Sequence, residues 1–171
     1  MKKIYLFILV AGLAIGCDKN ETLEDDLSSC ANSEGFAPID DKIKITQGIF
    51  GTISFTEGNC MPGLGPRDCR TCPVIRTVRI YKYTTISNAI KANNQAGEFY
   101  ERFTTDLVAE TKSDANGFFQ LTLPAGNYTM VVVENGLLYA AFGDGQGGIN
   151  PITVGTGRIE TNFPIKYKAA F

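Results

Sequence analysis

The feature that most constrains the fold is an alternation of apolar and polar residues that recurs from residue 43 onward. Successive side chains of a strand point to opposite faces, so runs of this kind predict half-buried β-strands. The alternating runs are 49–55, 77–81, 118–123 and 128–133. Between them lie turn residues such as Asn116-Gly117 and Asn135-Gly136, which suit positions that need a positive φ. Short strands separated by frequent turns predict an all-β sandwich or barrel.

Further strands are expected at 151–154 and 158–167. Only the stretch 87–104 departs from the alternation, and two interpretations of it stay open. It could hold a short helix, or it could be a long loop around its Gln-Ala-Gly-Glu segment.

One segment carries a more specific pattern. Residues 111–132 read T-x-x-D-x-x-G-x-F-x-L-x-L-P-x-G-x-Y-x-x-x-V, and the segment 48–53 precedes them as an expected first strand. This pattern resembles carboxypeptidase regulatory-like domains, which have the transthyretin-like (prealbumin-like) fold. The resemblance covers about 48–139 and implies a Greek-key β-sandwich of about seven strands.

The residues of this pattern have structural tasks. Asp114 and Gly117 suit a hairpin turn, and Pro124 and Gly126 suit a second turn. The core residues expected in the hairpin are Phe119, Leu121, Tyr128, Met130 and Val132. A motif made of turn and core residues indicates a fold but not an activity, and the resemblance implies no catalytic residue. The chain departs from the family at 57–73, where a longer cysteine-bearing loop is expected.

Met1-Lys2-Lys3 is followed by an apolar run and by Gly16-Cys17. This pattern resembles the lipobox of bacterial lipoproteins. The resemblance implies that residues 1–16 are a signal peptide and that Cys17 is acylated, with palmitate among the expected chains. A transmembrane anchor is the alternative, but the run is shorter than the ~20 residues needed to span a bilayer. A simple secretory signal with an incidental cysteine is the second alternative.

Charge divides the rest of the chain in two. Segment 18–41 has eight acidic residues and one basic residue, whereas 42–171 has a net charge of +3. The acidic composition predicts that 17–41 is a flexible tether, with the sandwich domain at 42–171. The acidic stretch also resembles the surface-export signals of Bacteroidetes lipoproteins, and a plain solvated spacer is the equal alternative. A charge of +3 is too small to indicate nucleic-acid binding. The expected location is the outer membrane or cell surface, through the lipid anchor.

Four cysteines remain after Cys17, and an even number in an exported chain predicts disulfides. The favoured pairing is Cys60–Cys69 with Cys30–Cys72, and the alternative is Cys60–Cys72 with Cys30–Cys69. Cys69-Arg70-Thr71-Cys72 is also a C-x-x-C motif, so half a zinc site or a redox motif are weaker interpretations. No second such motif and no histidine completes a zinc site.

The absence of histidine removes the commonest general base and zinc ligand, so no catalytic residue, metal or cofactor is assigned. The only clustered acids expected on the domain are Glu98, Glu101 and Asp106. In the glycine-rich segment 143–151, the side-chain oxygens of Asp144, Gln146 and Asn150 could coordinate calcium. Calcium sites usually include several carboxylates, however, and this segment has only one.

A ligand surface is expected instead on one strand. Alternation predicts that Arg79, Tyr81 and Tyr83 share an outward face, near Arg67, Arg70 and Arg76. A plain solvated sheet face is the alternative.

The sequence thus predicts a non-enzymatic envelope lipoprotein whose β-sandwich binds a glycan or another envelope protein. The alternative is a fimbrillin-like structural subunit that assembles by strand addition.

Overall fold

The computed structural model describes residues 38–63, 68–93 and 98–171, which form twelve strands and two short 3₁₀ turns, with no α-helix in these ranges. The strands are β1 (Gly48–Asn59), β2 (Arg70–Pro73), β3 (Thr77–Lys82), β4 (Ala89–Lys91), β5 (Phe99–Phe103), β6 (Leu107–Lys112), β7 (Phe118–Leu121), β8 (Gly126–Glu134), β9 (Leu137–Tyr139), β10 (Pro151–Val154), β11 (Arg158–Glu160) and β12 (Phe163–Ala170). The 3₁₀ turns are Asp40–Lys42 and Ile86–Asn88. The all-β prediction is confirmed.

The first sheet is built around the long strand β1. Strands β11 and β12 lie in succession along one side of β1 and run parallel to it. Strands β7 and β2 lie along its other side and run antiparallel. This sheet therefore has five strands but is only three strands wide at any level.

The second sheet has seven strands, with β4, β5, β9, β8, β3 and β6 in lateral order and β10 beside the first half of β8. All of its pairings are antiparallel. Strand β8 is the centre, because β3 pairs with one side of it while β9 and β10 share the other.

Apolar side chains from both sheets meet in one core. The first sheet contributes Ile53, Phe55 and Ile165, and the second contributes Val78, Met130, Val132 and Tyr139, among others. Two sheets that share a core between their inner faces are the arrangement of a β-sandwich.

The predicted core of the 111–132 hairpin is confirmed for four of its five residues. Phe119, Tyr128, Met130 and Val132 are buried in the shared core. Leu121 is only partly buried and packs at the margin of the core, because it is the last residue of β7. The Tyr128 hydroxyl donates a hydrogen bond to the Pro124 carbonyl oxygen at 3.1 Å, which ties β8 to the turn before it.

Three local predictions were incorrect. The 57–73 segment is not all loop, because 57–59 belong to β1, 70–73 form β2, and Glu57 pairs with Arg70. The described residues of the 87–104 stretch, 87–93 and 98–104, hold β4 and β5 rather than a helix or a plain loop. The expected strand 158–167 is interrupted between β11 and β12, where Thr161 and Asn162 lie. These changes raise the strand number above the seven expected.

Strand β8 is also not half-buried. Its outer-face residues Thr129 and Val131 are fully buried. A second apolar cluster covers them, formed by Tyr81, Tyr100, Phe103, Leu138, Ala140 and Ile149 with Val131. The alternation in β8 is therefore between two cores, and not between core and solvent.

Candidate functional site

A groove of about 530 Å³ lies beside β12, near the C-terminal end of the described chain. Its lining combines exposed aromatic and small apolar side chains with one acidic and one basic residue. The lining residues are Glu98, Tyr139, Ala141, Phe142, Pro164, Lys166, Tyr167, Ala169 and Phe171. Ligand sites in proteins are commonly concave and apolar with a few polar groups, so this groove is the candidate site.

The floor of the groove belongs to the packed aromatic part of the core. The Tyr167 ring contacts Phe55 and Phe99 edge-on, with centroids 5.4 and 5.0 Å away. The fully buried Tyr139 lies 5.5 Å from Tyr167, and its hydroxyl accepts a hydrogen bond from the Lys166 backbone N–H at 3.3 Å. Burial raises the pKa of Tyr139 to about 12, so this hydroxyl stays protonated under ordinary conditions.

A buried ion pair lies behind this floor. The Arg76 guanidinium donates to the Glu134 carboxylate, and both side chains are almost completely buried. The Tyr167 hydroxyl donates to the second Glu134 oxygen at 3.0 Å. Burial, with the nearby Glu134 charge, raises the pKa of Tyr167 to about 12. The Arg76 backbone N–H donates to the buried Ser113 hydroxyl at 2.7 Å. The network holds Tyr167 in one orientation.

The rim of the groove carries the two most exposed aromatic side chains of the described residues. Phe142 is 52% exposed and Phe171 is 67% exposed. The Lys166 ammonium lies 5.3 Å from the centroid of the Phe171 ring. Phe142 belongs to the loop after β9, and its carbonyl oxygen accepts a hydrogen bond from Asn150 at 2.7 Å. The rim therefore offers apolar ring faces beside charged groups.

The sequence-predicted ligand surface is not assembled as expected. Tyr81 is buried, 8% exposed, and its ring packs edge-on against Phe103 with centroids 5.1 Å apart. Tyr81 lies on the same face as Arg79, because the pairing of β3 with β8 has no register shift, but the second apolar cluster buries it. The expectation of a solvent-exposed Tyr81 is therefore wrong. The Arg79 guanidinium donates to Glu110 at 2.6 Å, and Tyr83 is partly exposed. A binding role for Arg79 and Tyr83 stays a prediction.

The glycine-rich segment 143–151 uses its carboxylate internally. Asp144 Oδ2 accepts a hydrogen bond from the Tyr83 hydroxyl at 2.6 Å, while Oδ1 accepts from the Gln146 and Gly148 backbone N–H groups. These hydrogen bonds, that of Tyr83 above all, hold the pKa of Asp144 below its usual range. Asn150 donates its side-chain amide to the Met130 carbonyl oxygen. The side-chain oxygens of this segment are thus bonded within the protein, as in a loop that simply connects two strands. Such a loop is the alternative to a calcium site.

The acids expected to cluster have three different surroundings. Asp106 makes an ion pair with Lys82 at 2.8 Å, Glu101 is exposed on β5, and Glu98 lines the groove. Within 38–63, 68–93 and 98–171, no group of three or more cysteines and acids is arranged to hold a metal. In the same ranges no helix has the length and hydropathy of a membrane span.

Cys60 and Cys69 form the predicted disulfide, with Cα atoms 4.8 Å apart. The alternative pairing of Cys60 with Cys72 is therefore wrong. Cys72 is buried in β2 and is itself disulfide-bonded. Its expected partner Cys30 lies outside the described residues, as do Cys17 and Arg67. Beside the Cys60–Cys69 bridge is a polar cleft lined by Glu57, Gly58, Asp68, Arg70 and Lys168.

Sequence reasoning missed the groove. Phe142 and Phe171 stand outside any alternating run, and nothing in their local sequence brings them to Glu98. Glu134 did carry a signal, since it is a charged residue that directly follows a run of three valines in β8.

Comparison with known proteins found no match: no family model, no curated protein and no solved structure matches this chain.

Proposed function

We propose that this chain is a lipid-anchored protein of the bacterial cell envelope, and that its β-sandwich is a non-enzymatic module that binds a glycan. Acylation at Cys17 would hold it at the outer membrane or cell surface without a membrane span. The 111–132 motif and the two-sheet core support assigning the sandwich to the transthyretin-like, carboxypeptidase regulatory-like type, with Greek-key connections.

The observation that carries the glycan proposal is the groove rim. Sugar rings have apolar C–H faces that stack on aromatic rings, and their hydroxyls bond to charged side chains. Phe142 and Phe171 offer exposed rings, with Lys166 and Glu98 beside them. The floor of packed aromatic rings around Tyr167 lowers the entropic cost of ordering a ligand there.

A glycan array probed with the full chain tests the proposal. We expect Phe142→Ala and Phe171→Ala each to weaken binding of a retained glycan by about tenfold, the loss of one aromatic stacking contact. Ile86→Ala is the matched control, because Ile86 is an exposed apolar residue outside the groove lining. No retained glycan, or equal binding by the groove variants and the control, would refute the proposal.

The fimbrillin-like alternative requires a strand edge open to addition, and β12, an edge strand of the first sheet, is protected against it. Pro164 has no backbone N–H to offer, and the N–H of Lys166 is already bonded to Tyr139. A proline within an edge strand is one of the devices that protect edges against strand addition.

A further inference from the structure

Strand β6 (Leu107–Lys112) ends the seven-stranded sheet on one side. Its neighbour is β3, and no strand of the described residues pairs with its other edge. The strand contains no proline, and Leu107 and Val108 at its start are exposed. The strand at the opposite end of this sheet, β4, is only three residues long.

The hydrogen-bond pattern shows which backbone groups face the open edge. Just beyond β6, the N–H of Ser113 donates to the Arg76 carbonyl oxygen at 2.9 Å, so the backbone of Ser113 faces β3. Backbone groups alternate in direction along an antiparallel strand, so Thr111 also faces β3. The N–H and C=O groups of Glu110 and Lys112 therefore point away from the sheet, toward a position where a further strand would lie.

The side chains of these two residues carry opposite charges on the exposed face of the sheet. Glu110 accepts a hydrogen bond from Arg79, its cross-strand partner, at 2.6 Å. Lys112 is exposed and has no ion-pair partner among the described residues. The open edge thus presents an acid and a base two residues apart.

We propose that two copies of this chain pair antiparallel through β6, with the two-fold axis at Thr111. In this register Glu110 of each copy lies opposite Lys112 of the other, and all four backbone groups at the edge of each copy gain partners. Directly opposed charges of opposite sign stabilise antiparallel pairs. The pairing joins the two seven-stranded sheets into one sheet and closes at two copies, since a two-fold interface uses the same patch on both.

Neighbouring registers are less favourable. An axis at Glu110 sets two glutamates directly against each other, which is destabilising. An axis at Ala109 sets Val108 against Glu110 and Lys112 against Asp106, but the Asp106 carboxylate and carbonyl oxygen are already bonded to Lys82. The charges of β6 therefore select a partner with the same sequence and one register.

Native mass spectrometry of the full chain over a dilution series measures the assembly. We expect the wild type to be a dimer that dissociates on dilution. Lys112→Glu turns two attractive pairs into repulsive ones and should raise the dissociation constant about tenfold or more. Combining it with Glu110→Lys restores opposite charges and should restore the dimer. Lys91→Glu is the control, because it makes the same change of charge at an exposed residue of β4. It should leave the dimer unchanged.

Cysteine substitution tests the register separately. In the proposed pairing the two Thr111 residues form a non-hydrogen-bonded pair, whose side chains lie close enough for a disulfide. Thr111→Cys should cross-link two copies on mild oxidation, and Ala109→Cys and Glu110→Cys should not. A monomeric wild type at every concentration, an undiminished Lys112→Glu dimer, or preferential cross-linking at 109 or 110 would each overturn the proposal.

Discussion

Glu134 is a charged residue inside an apolar strand, and the structure explains how the core tolerates it. Arg76 and Tyr167 both donate hydrogen bonds to its carboxylate, and Glu134 is 1% exposed. Removing a charge from water is costly, so a buried ion pair persists only when its remaining polar groups are satisfied. All buried side-chain polar atoms of the described residues have partners.

Neutralising this carboxylate should be strongly destabilising. Glu134→Gln leaves the buried Arg76 guanidinium beside a neutral amide, and we expect a loss of about 3 kcal/mol in unfolding free energy. Asp106→Asn is the matched control, because it removes an exposed carboxylate from Lys82 and should cost far less. Urea denaturation of both variants measures the difference, and equal losses would contradict the prediction.

The raised pKa of Tyr167 predicts a pH dependence. The unfolded chain ionises this tyrosine near pH 10, whereas the folded chain keeps its proton up to about 12. Above pH 10 the unfolded state therefore binds fewer protons, and stability falls as the pH rises toward 12. Urea denaturation at pH 8, 10 and 11 should show a shallower decline for Tyr167→Phe than for the wild type. If the unfolding free energies of the two proteins fell in parallel with pH, the Tyr167 hydroxyl would not contribute to the pH dependence.

At the scale of elements, the two Asn-Gly turns differ in how closely they approach the rest of the molecule. In the turn before β7, Asp114 Oδ1 accepts hydrogen bonds from the backbone N–H groups of Asn116 and Phe118, and Gly117 has a positive φ of 71°. Gly117 also lies against β1, where the Ile53 N–H donates to its carbonyl oxygen. Gly136, between β8 and β9, has a φ of 79° but no atom within 4 Å of a Cβ built on it.

These two glycines separate backbone strain from close packing. Gly136→Ala should cost about 1 kcal/mol, because alanine disfavours a positive φ. Gly117→Ala adds a collision of the new Cβ with the Ile53 carbonyl oxygen and should cost about 2 kcal/mol more. Thermal or urea unfolding measures both variants. A loss at Gly117 no larger than that at Gly136 would show that the turn can move away from β1.

The second bridge of the chain is predicted to join Cys72 to Cys30. Cys72 is disulfide-bonded, and Cys60 and Cys69 are already joined to each other. Peptide mapping of the unreduced protein should recover a Cys30–Cys72 peptide beside the Cys60–Cys69 peptide. A free Cys30 thiol that reacts with an alkylating reagent would contradict this prediction.

At the scale of the whole molecule, Cys17 is predicted to determine where the sandwich resides. We expect Cys17→Ser to move the protein from the membrane fraction to the soluble or unprocessed fraction, because stable attachment without a span requires acyl chains. Cys60→Ser, which removes a different cysteine, should leave the protein in the membrane fraction. Membrane association of Cys17→Ser as tight as that of the wild type would exclude the lipid anchor.

What the sequence by itself determined is the local part of this structure. The alternating runs predicted β1, β3, β7 and β8, and the turn residues marked the hairpin that holds Phe119 and Met130. Such features depend on neighbours two to four residues apart, through the direction of successive side chains and the φ of turn positions.

Only the tertiary structure decided what covers each strand and which distant residues meet. Alternation shows that Tyr81 and Val131 lie on a face, but not that Phe103 and Ile149 bury that face. The groove likewise joins Glu98, Phe142 and Phe171, which belong to three separate segments. These contacts arise from the packing of elements far apart in the chain, and no local pattern records that packing.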